Sequence, residues 1–181
     1  MTAGPGEDAP VAPIRVCFVC TGNICRSPSA EVVLRARLTE AGWADRVSVD
    51  SAGTAPWHAG KDMDPRARQA LTKHGYAVPP HVARQFQAAD FADRDLVIAL
   101  DAGHLARLGQ LARLADDPAD AAASLSLLRG HDPAAVAEHD LDVGDPYYDG
   151  EAEFETALRQ IEAACAGLVR LIGQRLATSR H

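Results

Sequence analysis

The sequence predicts an α/β protein, a doubly wound and mainly parallel sheet with helices on both faces, in a single domain. Three observations carry this. Strand-like apolar runs alternate with helical patterns, the order that builds parallel sheets. One run, Leu96-Val97-Ile98-Ala99-Leu100, is apolar throughout, as in a strand buried on both faces. The 181 residues suffice for one ordinary core that needs no disulfide or metal staple.

Each element has its own signals. Residues 1–13, rich in Gly, Pro and Ala, read as a disordered leader before a domain over 14–178. Residues 14–19 are the first strand. Ser27-Pro28-Ser29-Ala30-Glu31 reads as a helix start, with Ser27 as N-cap, proline in the first helical position and an acid in the first turn. That helix runs to about Ala41, and Gly42 stops it. Residues 46–51 alternate like a second strand, and 52–64 form a loop. Residues 65–74 are helical up to Gly75. Residues 95–100 are a strand and 101–114 a helix. Residues 116–123 read as a polar, alanine-rich loop, 125–128 as a weak strand, and 130–144 as irregular. Phe154, Leu158, Ile161, Cys165, Leu168 and Ile172 step by fours and threes along one face of a long final helix.

Composition narrows the function. A formal charge of -7 argues against nucleic-acid binding, which draws its affinity from Lys and Arg on phosphates. A small anionic substrate is still compatible, because local donors can dominate one cleft. No apolar run is long enough to insert into a bilayer, and the N-terminus lacks the pattern of a secretory signal. The expectation is a cytoplasmic protein whose four cysteines are free thiols. Cys17, Cys20 and Cys25 give C-x2-C-x4-C, but a zinc site wants a second close pair, and Cys165 stands alone in a helical pattern. No metal is expected. Cys17 and Cys165 read as small buried hydrophobes.

The chemistry concentrates in Cys20-Thr21-Gly22-Asn23-Ile24-Cys25-Arg26-Ser27, between the first strand and the first helix. Ligands of doubly wound sheets bind beyond the carboxyl ends of strands, where this segment falls. A cysteine nucleophile must be a thiolate, and a helix N-terminus, backbone N–H groups and a nearby cation all favour that form. Gly22 and Asn23 suit a tight turn whose N–H groups face inward as an anion nest. Arg26 adds a planar fork for two phosphoryl oxygens. Ser27 has two compatible readings, N-cap or hydrogen-bond donor to the Cys20 sulfur. The pattern predicts phosphate-ester cleavage through a covalent cysteine intermediate. It is neither a nucleotide-binding P-loop, since the glycine-lysine pair is missing, nor a thioredoxin-like C-x-x-C, since Cys17 lies within a strand.

Ester cleavage also needs an acid for the leaving oxygen and a base for water. Aspartate precedes proline at Asp64, Asp117, Asp132 and Asp145. Asp64 starts a helix and Asp117 lies in the alanine-rich stretch. Asp132 and Asp145 both stay open, with Asp145 favoured by the Pro146-Tyr147-Tyr148 that follows. Aromatics are scarce at 5%, yet Trp57, Tyr147 and Tyr148 fall in or beside loops. Ordinary packing and a slot for a flat aryl ester both explain them.

These segments together resemble the low-molecular-weight protein-tyrosine phosphatases, in wording most like the actinobacterial members. The likeness rests on Val19 to Pro28, on Asp145-Pro146-Tyr147-Tyr148, and on Ser51-Ala52-Gly53-Thr54, Trp57-His58, His81-Val82-Ala83-Arg84-Gln85 and Phe154-Glu155. It implies a four-stranded parallel sheet flanked by helices, and no cofactor or metal. It implies Cys20 as nucleophile, with Arg26 and the backbone of Thr21, Gly22, Asn23, Ile24, Cys25 and Ser27 binding phosphate. It makes Asp145 the general acid and then the base. Asn23, Ser27, Ser51 and His81 would support the loop, and Trp57, Tyr147 and Tyr148 would line an aryl slot. Cys25 matches a cysteine that can form a reversible disulfide with the nucleophile. Substrates would be phosphotyrosine proteins, and phosphate-like oxyanions would inhibit. The chain departs from the pattern in a longer leader, a longer stretch 116–126, and Asp149-Gly150 in that order. An arsenate reductase on the same fold and an inactive phosphate-binding module are the alternatives. The first wants relay thiols, and the second would tolerate loss of Cys20, Arg26 or Asp145, all of which are present.

Overall fold

The computed structural model describes residues 13–178, so the leader expected over 1–13 lies outside the described residues except for Pro13. Four strands form one parallel sheet in the order β2-β1-β3-β4. They are β1 (Ile14–Cys20), β2 (Val47–Gly53), β3 (Leu96–Ala99) and β4 (Leu125–Leu127). The helices are α1 (Arg26–Glu40), α2 (Pro65–Lys73), α3 (Ala102–Ala112), α4 (Pro118–Ala123), α5 (Pro133–Glu138) and α6 (Glu151–Thr178). Two 3₁₀ turns, Ala88–Asp93 and Leu128–His131, complete the order.

β1 explains why the sheet is wound on both faces. Alternate side chains of a strand point to opposite sides. Val16, Phe18 and Cys20 enter one apolar cluster with Leu34, Leu38, Ile161, Leu168 and Ile172 of α1 and α6. Cys17 and Val19 enter a second cluster with Val97, Ala99, Phe86 and Leu108. The predicted apolar positions of the last helix, Phe154 to Ile172, are all buried.

The strand order reverses at β1, because β2 lies on one side of it and β3 on the other. A crevice therefore opens between the segments that follow β1 and β3. Cys20 ends β1 in register with Gly53, and Asp101 follows β3 as the cap of α3.

Three local expectations are corrected. The alanine-rich stretch 116–123 contains α4, capped by Asp117, whose carboxylate accepts from Ala119 and Asp120 N–H. Alanine is the best helix former, so the composition favours helix once a cap and a proline supply the start. The 130–144 stretch contains α5, capped by Asp132 through Ala134 N–H at 3.0 Å. Finally, α1 starts at Arg26 with Cys25 in the cap position, so Ser27 is not the N-cap, Pro28 is third in the helix, and Glu31 lies beyond the first turn.

Candidate active site

The loop from Cys20 to Arg26 is shaped by its own residues. Asn23 takes φ 57°, the left-handed conformation that asparagine tolerates better than most. Its fully buried side chain then acts as a brace. Nδ2 donates to Ser27 Oγ and Ser51 Oγ, each at 2.9 Å, and Oδ1 accepts from Arg84 N–H at 3.0 Å. The Asn23 carbonyl accepts from His81 Nε2 at 2.7 Å. Ser51 Oγ donates in turn to Glu31 Oε2 at 2.6 Å, and Glu31 pairs with Arg35. Among the described residues, no backbone N–H from Thr21 to Ser27 meets a protein acceptor. A run of free N–H groups at a helix N-terminus is an anion site in waiting.

Cys20 lies at the floor, with Sγ 2.9 Å from Ser27 Oγ. Ser27 Oγ also lies 3.2 Å from the Ala52 carbonyl, so its single proton can serve sulfur or carbonyl according to the charge on sulfur. Arg26 is only 5% exposed and is fixed at three points. Nη1 donates to Asp101 Oδ2 at 2.8 Å and to the Val143 carbonyl at 3.1 Å, and Nη2 lies 3.2 Å from Asp145 Oδ2. Burial works to raise the Asp101 carboxyl, but the His104 N–H and the neighbouring His104 and Arg26 groups outweigh it and hold it below its ordinary value. Asp145 is half-exposed at the mouth, and its Oδ1 accepts from Tyr147 N–H at 3.2 Å.

The cleft above the thiol has a volume of about 140 Å³. Cys20, Thr21, Gly22, Ile24, Cys25 and Arg26 form its base, and Trp57, His58, Asp145, Tyr147 and Tyr148 form its walls and rim. Tyr147 packs edge-on against Tyr148 at 4.9 Å between ring centres and lies 6.0 Å from the His58 ring. Trp57 and Tyr148 are 72% and 91% exposed, so apolar surface flanks the entrance.

The other thiols lie elsewhere or are held neutral. Cys17 packs in the cluster on the opposite face of the sheet from Cys20, and burial holds its thiol well above the ordinary value. Burial pushes Cys165, inside α6, up to about 12. Burial, then the Asp64 carboxylate, raises the Cys25 thiol strongly. All four cysteines are free.

Against this geometry, comparison with known proteins is direct. Residues 15–179 match the family model described as low molecular weight phosphotyrosine protein phosphatase. The chain belongs to that family. A low molecular weight protein-tyrosine-phosphatase of Streptomyces coelicolor is 53% identical over 162 residues, covering 90% of this chain and 95% of the relative. Low molecular weight protein-tyrosine phosphatase A of Mycobacterium tuberculosis is 43% identical over 165 residues, 91% of this chain and 95% of the relative. Among solved structures, a protein tyrosine phosphatase from Entamoeba histolytica superposes with TM-score 0.81 at 28% identity, covering 89% of this chain and 97% of that one.

The low-molecular-weight phosphatase fold thus brings together every site residue expected from sequence: Cys20, Arg26, Asp145, the loop, its braces Ser51 and His81, and the three rim aromatics. It places Asp132 and Asp117 at helix caps instead. From sequence, no site role was assigned to Asp101, His104 or Glu31, nor to Arg84 and the wall residue His58, although the last two lie in segments that carry the resemblance. For Asp101 a signal existed, since it directly follows a strand that neighbours β1. His104 and Glu31 look ordinary locally, and only their partners mark them.

Proposed function

We propose that this protein hydrolyses phosphotyrosine in proteins, and small aryl phosphates, by double displacement through Cys20. The reading rests on one arrangement: a thiol hydrogen-bonded to Ser27, ringed by free N–H groups and the anchored Arg26, below a carboxylate in an aromatic-walled cleft. The N–H groups and the Arg26 fork hold the phosphoryl oxygens and take up charge that develops in the transition state. The Cys20 thiolate attacks phosphorus while Asp145 gives its proton to the departing phenolate oxygen, leaving phosphocysteine and a free tyrosine. Asp145, now a carboxylate, takes a proton from water as that water attacks phosphorus, and the Cys20 thiolate leaves. Ser27 Oγ donates to the departing sulfur and makes it a better leaving group.

The slot favours a flat aryl group over an alkyl ester, because Tyr147 and Trp57 offer ring faces and edges. Oxyanions of phosphate shape would compete for the same nest. Cys25 serves as a redox guard in this reading. A peroxide would take two electrons from the Cys20–Cys25 pair, forming their disulfide and water, and a thiol would restore the enzyme. Its raised thiol keeps it from competing as a nucleophile meanwhile. Relay chemistry of the arsenate-reductase kind is disfavoured because Cys17 lies on the opposite face of the sheet from Cys20 and Cys165 is fully buried inside α6.

Turnover of a chromogenic aryl phosphate tests the proposal. Wild type should be active, and Cys20→Ser inactive. Asp145→Ala should lose about 10²–10⁴-fold in kcat, the usual worth of a general acid. Asp132→Ala should keep its activity and lose only about 1 kcal/mol of stability, as a helix cap. An inactive wild type removes the phosphatase reading, and equal losses in the two aspartate variants remove Asp145 from its role.

A further inference from the structure

Behind the anion loop a hydroxyl, an imidazole and a carboxylate stand in series, and the mechanism above does not use the imidazole. Thr21 follows the nucleophile directly, and its Oγ1 lies 2.8 Å from His104 Nε2. His104 Nδ1 lies 3.1 Å from Asp101 Oδ1 but outside hydrogen-bond alignment, so that contact is electrostatic. The same Oδ1 accepts the His104 backbone N–H at 2.8 Å, which caps α3, and Oδ2 accepts from Arg26 Nη1 at 2.8 Å. One carboxylate therefore orients the start of α3 and the guanidinium together. One imidazole ties that unit to the loop.

A buried histidine is commonly a satisfied core group with no further role. His104 is 5% exposed, but its Nε2 partner belongs to the anion loop and not to the core. We propose that His104 is a positioning residue for the phosphatase reaction argued above: its Nε2 holds the Thr21 hydroxyl, locking the first turn of the phosphate loop to α3 in register with the Asp101-held Arg26. The inference rests on that reading for its link to catalysis, and on geometry alone for its link to anion binding.

The protonation state agrees. Burial, then the Arg26 cation, pushes His104 down to about 4, so the ring is neutral near pH 7. Asp101 beside Nδ1 favours the ring proton on that atom, which leaves Nε2 as acceptor. Thr21 then donates its hydroxyl proton to His104 and serves phosphate through its backbone N–H. That N–H points correctly only while the side chain is held. A loosened Thr21 would weaken binding of the ground-state anion as well as the transition state, because both lie on the same N–H groups.

The test uses the full chain with His104→Leu, His104→Gln, Thr21→Val and the His104→Leu/Thr21→Val double variant. A glutamine amide reaches the place of Nε2 and can still accept from Thr21, whereas leucine cannot. Readouts are the Kd for inorganic phosphate, kcat and KM on an aryl phosphate, and the thermal midpoint. His104→Leu and Thr21→Val should each weaken phosphate and lower kcat/KM by about tenfold, the size of one buried hydrogen bond. The double variant should be about as impaired as either single, since both break one contact. His104→Gln should recover most of the loss. The proposal is overturned if folded His104→Leu binds phosphate within about twofold of wild type, or if the double variant loses about a hundredfold. It is also overturned if only the thermal midpoint moves. Should His104→Leu not fold, Thr21→Val decides: unchanged phosphate affinity overturns the proposal. A wild type that binds phosphate without turning over substrate would remove the phosphatase reading and still leave the phosphate measurements to judge His104.

Discussion

Gly53→Ala probes how tightly the phosphate loop is built against its neighbouring strand. Gly53 ends β2 opposite Cys20. A Cβ there would lie 2.5 Å from the Thr21 carbonyl oxygen and 3.2 Å from both Gly22 C and Asn23 N, all of them backbone atoms. Ordinary Cβ contact begins at 3.4 Å, so strand and loop must part by the difference, about 0.9 Å. Neither side moves freely. Gly53 N–H donates to the Arg84 carbonyl and its own carbonyl accepts from Phe86 N–H, both at 2.8 Å. Across the gap, Thr54 N–H donates to the Cys20 carbonyl at 2.8 Å and Ala55 N–H to the Thr21 carbonyl at 3.0 Å. A displacement near 1 Å in a catalytic constellation costs about 10²-fold in rate, and overpacking of this kind costs about 1–3 kcal/mol of stability. Gly53→Ala should therefore lose about 10²-fold in kcat/KM and weaken inorganic phosphate, with a stable fold in urea titration. Gly109→Ala is the matched control. Beyond its chain neighbours and the backbone of its own helix, no described atom lies within 4 Å of a Cβ at that position in α3, and the change should stabilise by about 0.5–1 kcal/mol through helix propensity. A folded Gly53→Ala with both kinetic values within threefold of wild type would falsify the close-approach argument.

Asn23→Ala removes three side-chain hydrogen bonds and leaves alanine at positive φ, so about 3 kcal/mol of loop organisation is lost. Turnover should fall about 10²-fold, and Asn23→Gly, which relieves only the backbone, should recover little of it. Gly167→Ala would place a Cβ inside the His131 carbonyl where α6 crosses the Leu128–His131 turn, and the thermal midpoint should drop by about 10 °C. An unchanged midpoint would mean the two elements are not rigidly packed. His74, at the end of α2, has Nε2 2.7 Å from Glu155 and Nδ1 3.3 Å from Glu162. The Glu155 hydrogen bond raises it against an opposing effect of burial, with Glu162 adding to the rise. A raised folded pKa gives stability that is full below the unfolded value near 6.5 and is lost as pH rises through the folded value. His74→Gln should thus cost about 0.5–1 kcal/mol at pH 6 and almost nothing at pH 9 in urea unfolding, whereas equal losses at both would assign the effect to packing.

Much of the site was legible because it is local. Cys20, the turn-forming Gly22 and Asn23, and Arg26 lie within one strand–loop–helix segment, so their mutual geometry follows from chain stereochemistry alone. The alternation of strands and helices, and the apolar stripe of α6, were legible for the same reason. The short helices α4 and α5 were not, because each is a single capped turn and a half rich in Pro, Asp and Ala, a composition shared with loops. The Ser27 cap was misplaced because the hydroxyl has better use in the loop, between Cys20 and Asn23.

The four Asp-Pro pairs mark the boundary between the two kinds of knowledge. Asp64, Asp117, Asp132 and Asp145 each accept a hydrogen bond from the backbone N–H two residues on, at Arg66, Ala119, Ala134 and Tyr147. Locally they are the same object. The sequence by itself determined the family of the chain, the order of its elements and the thiol-and-arginine cradle, since those depend on near neighbours and hydrophobic period. The tyrosines that follow it and the resemblance already favoured Asp145 among the four; that its carboxylate stands beside Arg26, with Asp101, His104 and Glu31 behind the cradle, is a matter of tertiary structure. The pairing of β1 with β3 sets the His104 ring 2.8 Å from Thr21, and the hydrogen bonds of Val143 to Leu100 and Arg26 hold the segment whose Asp145 carboxylate lies 3.2 Å from Arg26. Such contacts depend on where remote segments come to rest, and short-range stereochemistry carries no record of that.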